Sequence, residues 1–160
     1  MDALFQTQSN ELSTTTQKEK LFKDAERQWN TLSSEKGAPG RKVDFEIYKS
    51  ILYNLEIRKV YLDSKLSLEK FSSIVGTNTT YLSNAVNNYF GCNFKRLINS
   101  YRVVRAKELL DSKDCPVNEL FSRCGFASKS VFYVSFRKVV GMTPLQYISQ
   151  SRNPFMIQRN

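Results

Sequence analysis

The sequence has 160 residues, room for one ordinary domain, and its 41% apolar and 24% charged residues argue against wholesale disorder. Lys and Arg number 24 against 15 Asp and Glu, a formal net charge of +9 that points to a polyanionic partner. There is no histidine, which excludes Ser-His-Asp and Cys-His catalysis and every His-ligated zinc module.

Residues 1–40 carry five basic and six acidic side chains, a net of −1. Residues 41–160 therefore carry 19 basic and 9 acidic side chains, a net of +10. Residues 6–17 are rich in Gln, Ser, Thr and Asn, and Gly37-Ala38-Pro39-Gly40 is a breaker cluster. Residues 1–43 are expected to be a weakly ordered arm and linker with room for one helix at 18–33, its Leu21, Phe22 and Trp29 near one face.

From about Asp44 the periodicity is helical throughout, and an all-α fold is expected. After Leu66 the pattern repeats. Ser67 is an N-cap candidate for a short helix carrying Leu68, Phe71, Ile74 and Val75, and Gly76 ends it. The next helix carries Leu82, Ala85, Val86, Tyr89 and Phe90 as one buried stripe, closed by Gly91. The second copy opens at Pro116, expected as a first helical residue. Val117, Leu120, Cys124 and Gly125 match Leu68, Phe71, Val75 and Gly76 at an offset of 49. Phe132, Ser135, Phe136, Val139, Val140 and Gly141 match the second helix at an offset of 50, and Thr143-Pro144 opens a final helix. Two helix-turn-helix units are expected, at 67–91 and 116–141.

Residues 93–112 read as one continuous linker helix with a wide apolar arc that includes Val103 and Val104. At about 1.5 Å per residue it spans roughly 30 Å, near one turn of B-DNA. Lys95, Arg96, Arg102, Arg105 and Lys107 give it a basic side suited to phosphates. Outside the apolar stripe, the first unit presents Thr79, Thr80, Ser83, Asn84 and Asn87, an uncharged set suited to base edges. The second presents Lys129, Ser130, Tyr133, Val134 and Arg137, with Lys138 alongside.

Cys92, Cys115 and Cys124 lack CxxC spacing and read as small core hydrophobes. No signal-peptide pattern opens the chain, no apolar run approaches the roughly 18 residues of a membrane span, and a cytoplasmic setting is expected.

These residues resemble the AraC/XylS family of bacterial transcription regulators over about Leu66–Ile148. The signature lies in Cys124-Gly125-Phe126, Ser128-Lys129-Ser130-Val131-Phe132, Phe136-Arg137-Lys138, Gly141-Met142-Thr143-Pro144 and Tyr147. The first copy, with Gly76 to Ser83 and Ile98-Asn99-Ser100-Tyr101-Arg102, resembles the version common in Bacteroidetes. The resemblance implies a homeodomain-like domain of about seven helices at 44–152, ending in a final helix at 143–152 and a tail at 153–160. It also implies double-stranded DNA and RNA polymerase as partners, with no cofactor, metal or catalysis. Base contacts would fall on Thr80, Ser83, Asn84, Lys129, Ser130, Tyr133 and Val134, with Thr79 and Asn87 joining from the stripe. Phosphate contacts are expected at Lys95, Arg96, Ser128, Arg137 and Lys138. The family usually has alanine where this chain has Ser72 and Phe121, so the second unit is expected to be splayed or repacked. About 43 residues precede the matched region, too few for a ligand-binding barrel. The chain is thus expected to be a short regulator or the tail of a longer protein. The rival expectation is a helical adaptor that binds polymerase or another regulator with little DNA specificity.

Overall fold

The computed structural model describes residues 3–35 and 42–152, and among these are eight α-helices and no strand. Seven of them lie within residues 42–152, the number expected there. The chain divides into two units, one of residues 1–60 and 67–92, the other of residues 61–66 and 93–160.

The first unit holds α1 (Ala3–Glu35), α2 (Lys42–Leu52), α3 (Leu68–Val75) and α4 (Thr79–Phe90). Helix α1 runs well beyond the expected 18–33, so most of the supposed arm is helical. Its sequence contains neither glycine nor proline, and polar residues such as Ser, Thr and Asn cost only tenths of a kcal/mol each. Its later part is also anchored. Ala25 and Trp29 are buried with Tyr48 and Leu52, and Leu21, Phe45, Tyr89 and Phe90 pack against them. The Trp29 ring lies 4.8 Å from Tyr89 and 5.6 Å from both Phe45 and Tyr48. The Tyr48 hydroxyl donates to Gln28 Oε1 at 2.8 Å. The breaker cluster at Gly37–Gly40 and the tail at 153–160 lie outside the described residues.

Helices α3 and α4 form the first helix-turn-helix. The Ser67 hydroxyl accepts from the Lys70 N–H at 3.1 Å, and the Asn78 side chain accepts from the Tyr81 N–H at 2.8 Å. Gly76 between them is left-handed at φ 85°. Phe71, Leu82 and Val86 are fully buried at the centre of the pair.

The second unit holds α5 (Phe94–Ser112), a 3-10 turn at Val117–Glu119, α6 (Leu120–Arg123), α7 (Lys129–Val140) and α8 (Pro144–Arg152). Its core is Val103, Ala106, Leu109, Cys115, Leu120, Cys124, Phe126, Phe132 and Phe136. Cys115 and Cys124 thus serve as core hydrophobes, whereas Cys92 is half-buried. Thr143 and Gln146 form a reciprocal capping box at the start of α8, the Gln146 carbonyl oxygen accepting at 2.9 Å and the Thr143 hydroxyl at 3.2 Å.

Four expectations are corrected in this unit. Pro116 is not a first helical residue: its ψ of 142° is extended, and it precedes the 3-10 turn. The first helix of the pair shrinks to the single turn of α6, where Phe121 replaces the small buried Ser72 and leans half-buried on the core. This is the repacking expected of a phenyl group at that place. Val139 is 49% exposed and Val104 50% exposed, so neither belongs to its buried stripe. Both sit at the margin of their apolar arcs, where no neighbouring helix covers them.

The fourth correction is Arg102, which is buried rather than free for phosphates. Its Nε donates to the Tyr61 carbonyl at 2.7 Å and its Nη2 to the Asp63 carbonyl at 2.9 Å. The guanidinium also lies 5.6 Å from the Phe126 ring centroid. It clamps segment 61–66 to α5. The same segment requires Gly125, whose added Cβ would meet the Tyr61 carbonyl oxygen at 2.3 Å and the Leu62 backbone at 2.8 Å.

Candidate nucleic-acid interface

Helices α4 and α7 are the second helices of the two pairs, and each is positioned by the same local devices. Asn78 and Ser128 cap their N-termini, and Gly91 and Gly141 end them in left-handed conformation at φ 68° and 83°. Each buries one stripe through large apolar groups, Leu82 and Val86 in α4, Phe132 and Phe136 in α7. The opposite face of each is consequently turned to solvent.

With 3.6 residues per turn, positions four apart stack into one row. In α4 the outward row is Thr80, Asn84 and Asn88, all exposed, with exposed Asn87 beside it. In α7 the matching row is Ser130, Val134 and Lys138, again exposed, with Arg137 beside it. Asn84 and Val134 therefore hold the same central place in the two units.

The remaining candidates lie at the margins. Thr79 and Ser83 are half-buried. Lys129 is exposed at the first turn of α7. Tyr133 is half-buried against the core, its ring 5.5 Å from Phe132. Ser128 is exposed but already engaged, its hydroxyl accepting from the Val131 N–H at 3.2 Å. Two residues outside the sequence-based set belong to the same surfaces: Asn88 in the α4 row and Val131, 41% exposed, beside the α7 row. The four-residue spacing alone would have added Asn88.

Within the second unit, Lys95, Arg96 and Lys138 come together. They line an open groove of about 790 Å³ between α5 and α7, with Asn99, Ser135 and Val139. Three of the five expected phosphate contacts thus share one concave, cationic surface. Arg105 is tied to Glu108 at 3.0 Å, and the Lys107 ammonium lies 5.8 Å from the Tyr147 ring centroid. Neither adds to that groove.

Charge separates the two pairs. Residues 67–91 hold only Glu69 and Lys70, a net of zero. Residues 116–141 hold Arg123, Lys129, Arg137 and Lys138 against Glu119, a net of +3. Buried groups are shifted away from charge. Burial pushes the Cys124 thiol up to about 12, and burial lowers the Arg102 guanidinium while nearby Asp63 pulls it back. No group of three or more potential metal ligands occurs among the described residues, and none of their helices is long and apolar enough to cross a membrane.

Comparison with known proteins converges on this architecture. A family model described as a helix-turn-helix domain matches residues 71–150. The HTH-type transcriptional activator RhaR of Enterobacter sp. (strain 638) is 31% identical over 91 residues, covering 57% of this chain and 32% of that protein. The chain spans no more than about a third of the length of the curated regulators it matches first. Among solved structures, the C-terminal domain of AraT, a response regulator from Geobacillus stearothermophilus, has a TM-score of 0.58 at 28% identity, covering 66% of this chain and 84% of that one. The DNA-binding domain of AdpA, a global transcriptional factor solved in complex with a target DNA, has a TM-score of 0.59. That match covers 69% of this chain and 97% of that one, and at 20% identity it speaks to the fold alone.

Proposed function

This chain belongs to the AraC-type helix-turn-helix family, and on that premise we propose that it is a sequence-specific DNA-binding regulator of transcription that acts without catalysis. The second helix of each pair enters a major groove, the two taking successive grooves of one duplex. The observation that carries this reading is the pair of solvent-facing rows, Thr80-Asn84-Asn88 and Ser130-Val134-Lys138, held in matching positions by matching caps.

The chemistry of each row follows from its side chains. Asn84 and Asn87 pair with adenine edges, and the Thr80 methyl packs on thymine. Ser83 and Thr79, half-buried, contribute at the margin of the row. Ser130 and Lys129 donate to base edges in the second unit, with Tyr133 and Val134 completing the surface. Lys95, Arg96, Lys138 and Arg137 neutralise backbone phosphates, which makes binding salt-dependent. Ser128 reaches a phosphate through its backbone N–H, since its hydroxyl already caps α7. Transcriptional control then runs through RNA polymerase contacts in the cytoplasm. The regulatory titles of relatives such as RhaR support that step.

A random-site selection followed by footprinting tests the proposal. Enrichment of a motif with two protected half-sites is the expected result. Equal binding to all duplexes would overturn it, and tight polymerase association with only weak DNA binding would favour an adaptor instead.

A further inference from the structure

Val134 holds the most informative position on the second recognition helix. It sits at the centre of the outward row, and its side chain is 56% exposed. An isopropyl group there offers no donor or acceptor, so it cannot take part in hydrogen-bond readout. Val131, 41% exposed, adds a second apolar surface one turn earlier. The α7 row around it is polar: Ser130 precedes Val134 by four residues and Lys138 follows by four. Neither carries the carboxamide that reads adenine in the matching place on α4.

We propose that Val134 packs against the 5-methyl group of a thymine, so that the two units of this chain discriminate bases by different chemistry. The first uses the Asn84 carboxamide, the second an apolar contact. The inference rests on the DNA-binding reading above. Thymine's methyl is the one apolar group that base edges present in the major groove. A β-branched side chain in a helix is held near one χ1 rotamer, so its methyls are presented with little entropy left to lose. Lys138 in the same row, together with Lys95 and Arg96 across the groove, supplies the backbone anchoring that such a contact lacks. A methyl contact is short-ranged and uncharged, and it needs a phosphate clamp to fix its register.

The test uses the full chain and a duplex obtained by random-site selection. Each thymine in the half-site protected by the second unit is replaced singly by deoxyuridine, which removes only the methyl group. One position is expected to lose about fourfold in affinity, the scale of one buried methyl. Val134→Ala is expected to lose affinity for the thymine duplex and to erase the thymine–uridine difference, with the salt slope unchanged. Alanine suits an exposed helix position, and circular dichroism would confirm that the variant folds. A selected motif indifferent to every methyl, or a methyl dependence that survives Val134→Ala, overturns this inference and leaves the DNA-binding reading intact. Failure to enrich any motif overturns both. If Val134→Ala leaves DNA binding untouched but weakens association with a protein, the residue belongs to a protein-docking face and the inference is again overturned.

Discussion

The two helix-turn-helix units share spacing, caps and glycines, yet each holds its recognition helix in a different way. In the first, the end of α4 is covered from outside the repeat: Trp29 of α1 lies 4.8 Å from Tyr89. In the second, the matching residue is Val139, left 49% exposed. The second unit gains its rigidity elsewhere, from Arg102 and Gly125 clasping segment 61–66. The outward faces diverge in the same manner, since the first pair carries no net charge and the second carries +3. A repeated sequence pattern specifies a local motif. The support around it, and the chemistry it presents, are free to differ.

The largest effect that separates the units is expected at Trp29. Trp29→Ala should destabilise the first unit by about 3–5 kcal/mol, the usual cost of removing a buried large aromatic. Hydrogen exchange should then show loss of protection in α4 and little change in α7. An even loss over both helices would break the comparison.

Glycine substitutions come next. Gly125→Ala combines a left-handed φ of 87° with a backbone collision and should cost about 2–5 kcal/mol. Gly76→Ala faces open space at φ 85° and should cost only the conformational strain of about 1–2 kcal/mol. Denaturant titration of the two variants would give equal values if the segment 61–66 contact were unimportant.

On DNA, Asn84→Ala should remove about 1–3 kcal/mol of discrimination at one base pair with little change in salt slope. Lys138→Ala should weaken binding to all sequences and flatten the slope of log K against log salt by about one. Identical behaviour of the two variants would erase the division between the faces.

The smallest difference is alkaline. The Cys124 thiol is raised from 9.0 to about 12 in the folded second unit. A thiol whose proton is held more tightly in the folded state stabilises fully below about 9, and that contribution is lost as pH rises from 9 toward 12. Cys124→Val should flatten the fall in stability measured by urea titration across that window. Burial raises Tyr48 in the first unit too, but its ordinary value is 10.0, so its loss begins later. If Cys124→Val left the alkaline profile unchanged, this part of the contrast would fail.

Much of this was legible in the sequence because it is written in short-range rules. Gly76, Gly91 and Gly141, the caps Ser67 and Thr143, and the stripes Leu82-Ala85-Val86 and Phe132-Ser135-Phe136 all act within a few residues of themselves. What escaped involves partners far along the chain. Arg102 reads as one more basic residue on a basic helix until Tyr61, 41 residues earlier, takes its proton donor. Val139 reads as core until α7 is seen to have no neighbour over it. Helix α1 reads as a polar arm because its anchoring residues, Ala25 and Trp29, meet Tyr48 and Tyr89 only in the folded unit.

The sequence by itself determined the all-α class, the two copies and their register, and the uncharged character of the α4 face. Each depends on periodicity and on the conformational preferences of single residues, which need no knowledge of distant neighbours. Only the tertiary structure decided which charges are free and which apolar groups are bare. It withdrew Arg102 from the phosphate set, gathered Lys95, Arg96 and Lys138 around one groove, and left Val134 exposed at the centre of its row. Exposure depends on everything that packs nearby, and no local pattern encodes it.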